Sequence, residues 1–144
     1  MYSVGDMISS RASLTPHRVA LVDAERGVRY TYAQLEERAN RAAHLLLSLG
    51  VGQGDRVGIH ARNGVHFSDL LFACAKLGAI LVPSNFRLAP PELRYIMEDC
   101  EPSAVFFDPE YGGVVEEAAS GLAIETLSLG EEYEERLASS PSHP

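Results

Sequence analysis

The sequence predicts an α/β fold in three layers: a mostly parallel sheet with helices on both faces, preceded by a β-hairpin. Three observations predict it. Short apolar stretches of strand length alternate with helical patterns along most of the chain, the order that builds a parallel sheet. The stretch from Asp55 to Pro83 is by itself a complete strand, helix and strand, and a crossover of that length returns the second strand parallel to the first. Its helix is apolar on more than one side, because Val65, Phe72, Ala73 and Ala75 add to a main face of Phe67, Leu70, Leu71, Cys74 and Leu77. Such a helix needs cover from the sheet and from something else.

The elements follow in order. Asp6 to Leu14 reads as a short helix that stops before Pro16. Val19–Val22 and Val28–Tyr30 read as strands joined by a turn containing Gly27, hence a hairpin. Thr31-Tyr32-Ala33-Gln34 has the form of a capping box. The helix it opens carries Tyr32, Leu35, Ala39, Ala42, Leu46 and Leu49 on one face and ends at Gly50. Glu37 and Arg41 lie four apart on its polar face and are expected to pair. Gly50-Val51-Gly52-Gln53-Gly54 is glycine-rich, but it follows a helix and precedes a strand. A phosphate loop needs the reverse order, so that helix N–H groups face the anion.

Arg56 to His60 is the first strand of the central unit, Asn63 is the expected N-cap of its helix, and Gly78 is the expected C-cap. Ile80–Val82 resumes as a strand stopped by Pro83, and Ser84 to Leu88 is an extended linker. Pro91 suits the first turn of the next helix, whose stripe is Leu93, Ile96, Met97 and Cys100. Ala104–Phe107 reads as a buried strand, Glu110–Ala119 as a helix, Ile124–Leu129 as a strand and Glu131–Ala138 as a charged helix. The folded unit is expected over residues 1–138, with 139–144 a disordered tail.

Composition excludes several classes. With 46% hydrophobic and 22% charged residues in 144, the chain is one domain able to bury a core. No apolar run approaches the roughly 20 residues that cross a membrane. MYSVGDMISSRASL lacks the basic start and apolar block of a signal peptide. Cys74 and Cys100 form no metal or redox spacing and are expected as reduced thiols, which together point to the cytoplasm. Residues 1–90 hold ten Lys+Arg against seven Asp+Glu, a net of +3; residues 91–144 hold two against thirteen, a net of −11. A total of −8 argues against nucleic-acid partners. The acidic third lacks calcium-loop spacing and reads as a solvated surface.

No catalytic or metal constellation is visible: there is no G-x-x-x-x-G-K-[ST], G-x-S-x-G or H-E-x-x-H. His60 and His66 flank the first crossover turn and could approach each other, although structural roles fit both better. Arg62-Asn63-Gly64 follows the carboxyl end of a strand, where open α/β sheets bind ligands, but it also reads as a plain helix cap. Arg87 follows another strand end; its guanidinium could clamp a phosphate or simply pair with Glu92.

The assembled motifs resemble the start of the adenylate-forming enzymes, in particular the acyl-CoA synthetases. Tyr30-Thr31-Tyr32-Ala33-Gln34-Leu35 is similar to their S/T-Y-x-E-L stretch, with Gln34 in place of Glu. Ala75-Lys76-Leu77-Gly78-Ala79-Ile80-Leu81-Val82-Pro83, Asn85-Phe86-Arg87-Leu88, Pro91-Glu92-Leu93-Arg94-Tyr95-Ile96 and Ala104–Phe107 continue the likeness, which covers about residues 10–110. The resemblance implies a flavodoxin-like subdomain of an AMP-binding ligase. Such a ligase uses ATP and Mg²⁺ to convert a carboxylic acid to an acyl-adenylate, then transfers the acyl group to CoA. It also implies that Arg87 lies near the pantetheine or nucleotide end of CoA. The family's lysine-bearing phosphate loop, its Tyr/Thr/Glu motif, its ribose-binding Asp and its catalytic Lys have no match here. The expectation is an N-terminal segment, ending before the phosphate loop, that is not catalytic and binds no cofactor alone. Its expected partners are the rest of the AMP-binding domain and a C-terminal domain, with apolar surface left open and self-association as the consequence. The alternatives are a stand-alone binding module derived from that family and a small nucleotide binder.

Overall fold

The computed structural model describes residues 6–144; the sequence reading of residues 1–5 lies outside it. Helix α1 (Met7–Leu14) starts at Asp6, whose carboxylate accepts from the Ser9 N–H. Strands β1 (Val19–Asp23) and β2 (Val28–Thr31) form the expected antiparallel hairpin, with an irregularity between Val19 and Leu21. The capping box opens α2 (Tyr32–Ser48): Thr31 Oγ1 accepts from Gln34 N–H at 3.3 Å, and Gln34 Oε1 accepts from Thr31 N–H at 2.8 Å.

The central unit is β3 (Arg56–His60), α3 (Val65–Leu77) and β4 (Ile80–Pro83), followed by α4 (Pro90–Cys100) and β5 (Ala104–Phe107). A short 3₁₀ turn, Pro109–Tyr111, separates β5 from α5 (Gly112–Ala119), where the sequence suggested one continuous helix. Strand β6 (Glu125–Ser128) and α6 (Glu131–Ser139) complete the chain. Gly78 sits at φ 70° at the end of α3, the left-handed cap the sequence anticipated.

The sheet order is β4-β3-β5-β6, all parallel. The first crossover runs from β3 to β4; the second returns past β3 to β5. With right-handed crossovers that reversal puts α3 and α4 on opposite faces. Side-chain alternation confirms it. Val57, Ile59, Ala104, Phe106 and Leu127 face a core shared with α2, α3 and α6, while Val105 faces Leu93, Met97, Val115 and Ala118 of α4 and α5. Gly58 leaves room for this stacking, since a Cβ there would stand 3.0 Å from Val105 Cγ2 on the neighbouring strand, a tight contact.

Helices α2, α3 and α6 are joined by a buried ion pair. Asp69, at 1% exposure, accepts from Arg38 Nε at 2.9 Å and Nη2 at 2.8 Å, and from the Tyr133 hydroxyl at 3.1 Å. Arg38 also reaches Glu134, whose carboxylate takes a third bond from His66 Nε2 at 3.0 Å. Burial raises the Asp69 carboxyl and the Arg38 fork opposes that rise. For Arg38 burial works downward, but the bonds to Asp69 and Glu134 prevail and hold the guanidinium above its ordinary value. Two N–H donors and a hydroxyl on one carboxylate is the geometry of the ionised pair. The hydrogen bond from His66, ahead of the Arg38 bonds, brings Glu134 down to about 2. A second tie lies two turns along α3, where Lys76 bonds Asp6, Ser9 and Glu36.

Residues 139–144, expected as a disordered tail, are drawn onto α2. Ser139 closes α6; Arg41 Nη1 donates to Ala138 O and Ser140 O, and Asn40 Nδ2 to Ser142 O at 3.0 Å. Side chains of α2 supply donors that a tail sequence does not advertise. The expected Glu37–Arg41 pair forms at 3.0 Å.

Removing one member of a buried pair leaves the other charge without compensation. Arg38→Ala is therefore expected to lower unfolding free energy by about 3 kcal/mol, measured by urea denaturation at neutral pH. A loss within error would show that the pair does not hold the three helices.

Candidate functional site

The reversal of strand order leaves a crevice beyond the carboxyl ends of β3 and β5, the place where open parallel sheets hold ligands. Three segments meet there: Ala61–Gly64 after β3, Ser84–Leu88 after β4, and Asp108–Tyr111 after β5. Asp108 secures the first of them, since its Oδ2 accepts from the Arg62 N–H at 2.8 Å while its own N–H donates to His60 O. That anchor corrects the predicted cap. The chain enters α3 at Gly64, with no side-chain cap, and Asn63 is left exposed in the loop.

Phe86 and Tyr111 stack with ring centroids 5.7 Å apart. Two guanidinium groups lie against Phe86, Arg62 at 5.4 Å and Arg87 at 5.5 Å from its centroid. The two arginines singled out separately in the sequence are thus brought together on one aromatic ring. Arg62 is oriented by Tyr111, whose hydroxyl accepts from Nε at 3.0 Å, and Glu110 Oε1 stands 3.3 Å from the same nitrogen. The bond to Tyr111, then Glu110, raises the Arg62 guanidinium. The plain reading of Arg87 as a partner of Glu92 fails for a local reason: Glu92 Oε2 caps α4 by accepting from the Ala89 N–H at 2.8 Å. Among the described residues no carboxylate lies within ion-pair distance of Arg87.

Beneath this surface His60 is fully buried. Its Nδ1 lies 2.8 Å from Ser84 Oγ, which lies 3.3 Å from Ile59 O. Its Nε2 is buried and has no hydrogen-bond partner among the described residues. The ring packs edge-on against Tyr111 at 5.5 Å. His60 and His66 do not converge, because His66 turns to Glu134 instead.

Next to Arg62 a cleft of about 740 Å³ opens between the hairpin and the first turn of α3, with Leu21, Leu71 and Phe72 among its walls. The glycine-rich stretch 50–54 lies at the other end of the sheet, where Gly54 N–H bonds Gly78 O, so it has no part in the crevice. Cys74 and Cys100 are free thiols, and burial pushes Cys74 up to about 12. Among the described residues no group of three His, Cys, Asp or Glu side chains could hold a metal, and no helix is long and apolar enough to cross a membrane. What the sequence missed here was Phe86, Tyr111, Glu110 and Asp108. Asp108-Pro109 marked a strand end, but nothing local showed that β5 lies beside β3.

Burial lowers the His60 pKa from its ordinary 6.5, against a smaller upward pull from Asp108. The unfolded chain therefore binds a proton at a pH where the folded chain does not. The resulting stability is complete above 6.5 and is lost as pH falls below it. The urea midpoint is expected to rise with pH up to about 6.5, and His60→Gln is expected to flatten that rise. An unchanged slope in the variant would assign the rise to other groups.

The sequence matches the family of AMP-binding enzymes over residues 8–141. It is 40% identical over 116 residues to the long-chain-fatty-acid–CoA ligase FadD13 of Mycobacterium tuberculosis (strain ATCC 25618 / H37Rv), which covers 81% of this chain and 23% of that protein. It is 39% identical over 103 residues to the fatty acid–[acyl-carrier-protein] ligase ScoC of Streptomyces coeruleorubidus, covering 72% of this chain and 20% of that one. The fold superposes on the crystal structure of the N-terminal domain of FACL13 from Mycobacterium tuberculosis with a TM-score of 0.91 at 34% identity, over 99% of this chain and 38% of that one. The chain thus spans less than a quarter of the length of these curated relatives. Sequence and fold agree on one conclusion: this chain belongs to the AMP-binding enzyme family and corresponds to the N-terminal part of its acyl-CoA ligases.

Proposed function

We propose that this chain is the N-terminal segment of an ATP-dependent acyl-CoA ligase, working in the cytoplasm and inactive by itself. In the assembled enzyme a carboxylic acid is activated as an acyl-adenylate and passed to CoA. Within it this segment supplies the sheet frame and a contact from Arg87 to a phosphate of CoA. The observation that carries the reading is the linker Asn85–Leu88, which places Arg87 at the carboxyl end of the sheet with no carboxylate partner among the described residues. A free guanidinium on an aromatic ring suits a phosphate ester. In this reading ATP and Mg²⁺ are assigned to the remainder of the enzyme.

The partners proposed are the rest of the AMP-binding domain and a C-terminal domain. Val19, Val22, Val28, Leu71 and Ile80 are large apolar residues left between 39% and 53% exposed. They are surface for those partners to cover, and for self-association when the chain is alone.

The test is a graft in which residues 8–141 replace the matching segment of the Mycobacterium tuberculosis FadD13 ligase. The chimera is expected to form acyl-CoA, and the isolated chain to form neither acyl-adenylate nor thioester. Arg87→Ala in the chimera is expected to raise KM for CoA about tenfold, the loss of one charge-assisted hydrogen bond, with KM for ATP unchanged. A folded but inactive chimera, beside an isolated chain that binds a ligand alone, would favour a stand-alone binding module.

A further inference from the structure

We propose that Asn40, Arg41 and His44 form a track on α2 that holds residues 140–143 as a strap, gripped by its backbone carbonyls. In the ligase this strap fixes the course of the chain as it leaves α6 for the remaining domains. The strap belongs to this chain alone, whereas its role in a ligase rests on the preceding reading.

Ser140-Pro141-Ser142-His143-Pro144 is suited to being held in this way. Proline fixes φ, donates no backbone hydrogen bond and keeps the residue before it extended. Ser140, which precedes Pro141, lies accordingly at φ −82° and ψ 148°. An extended, proline-bearing segment makes no regular internal hydrogen bonds, so its carbonyls are free for other donors. Side chains of α2 meet them. Arg41 Nη1 donates to Ala138 O at 2.8 Å and to Ser140 O at 2.7 Å. Asn40 Nδ2 donates to Ser142 O at 3.0 Å, and His44 Nε2 stands 3.0 Å from His143 O. The His44 and His143 rings also meet edge to face, with centroids 4.7 Å apart. Residues 141–144 make no backbone–backbone hydrogen bond among the described residues, so these side chains are their polar ties to the fold. Two of the donors are set in advance. Glu37 engages Arg41 through Nε and Nη2, which leaves Nη1 for the two carbonyls. Asn40 is 4% exposed, and its Nδ2 lies 3.4 Å from Glu36 Oε1 as well, so its amide is oriented from two sides. The helix beneath is itself tied to α3 through Arg38 and Asp69. This chain spans 23% of the FadD13 ligase and corresponds to the N-terminal part of such enzymes. Their polypeptide runs on past the matched segment, from a place and heading that a fixed strap determines.

The test measures heteronuclear N–H NOE values at Ser142 and His143 in the 144-residue chain. In the wild type both are expected to match the values along α2. Asn40→Ala, Arg41→Ala and His44→Ala are each expected to lower the His143 value toward that of a free terminus. Ser140→Ala and Ser142→Ala keep the carbonyls and are expected to leave it unchanged. Far-ultraviolet circular dichroism will show that the variants fold; Arg41 and His44, only half-buried, carry the test should Asn40→Ala fail to fold. A wild-type segment as mobile as a free terminus would overturn the strap. So would serine variants that loosen it as much as the α2 variants do. In the ligase graft, extended to residue 144, Arg41→Ala is expected to lower kcat about tenfold with KM for CoA unchanged, because a small displacement far from the chemistry slows it. An unaltered kcat beside a loosened strap would overturn its role in setting the course of the chain. A graft inactive with Arg41 in place tells against the ligase reading, and the isolated chain still judges the strap.

Discussion

The packing of one whole face depends on the carboxylate of Asp69 keeping its partners. A buried carboxylate costs several kcal/mol unless its lone pairs are met with good geometry. Here the fork of Arg38 comes from α2 and the hydroxyl of Tyr133 from α6, so three helices must keep a common register to satisfy one side chain. Lys76 repeats the device two turns along α3, gathering Asp6, Ser9 and Glu36 from α1 and α2. Helix α3 is otherwise largely apolar, and apolar burial alone is non-directional. The two charged ties supply direction. The gain is positional more than energetic, since a well-packed apolar pair at the same places can be equally stable.

With α3 held, β3 becomes the strand that everything else is measured from. It pairs with β4 on one edge and β5 on the other, and its side chains alternate between the two cores. On the face toward α4 and α5 it offers Gly58 and His60. The first admits Val105, and the second props Tyr111 from below. The platform at the sheet's carboxyl end is therefore an extension of the core: Phe86 rests on Tyr111, and Tyr111 on His60.

The charge asymmetry also has a structural sense. Most of the acidic residues beyond position 90 are exposed and solvated, as their spacing suggested. Glu134, although exposed, is held in place because α6 lies across α2 and α3, where Arg38 and His66 both reach it. Glu92 is likewise absorbed locally, as the cap of α4. Among the described residues no carboxylate lies within ion-pair distance of Arg87.

Local sequence determined the elements and their order. The capping box at Thr31, the left-handed Gly78, the prolines at the start of α4 and the alternation of strand and helix each act over a few residues, and each is found where it was read. The motifs carried the family as well, because they were spread at the right intervals over most of the chain. Arg62 and Arg87 were visible as strand-end cations, but only one at a time. Their meeting on Phe86, the role of Tyr111 and Glu110, the burial of Asp69 with Arg38 and Tyr133, and the course of residues 140–144 along α2 were decided by tertiary structure. The physical reason is separation: these contacts join residues from about 25 to about 100 positions apart, and they exist only once the sheet order places β5 beside β3 and α6 across α2.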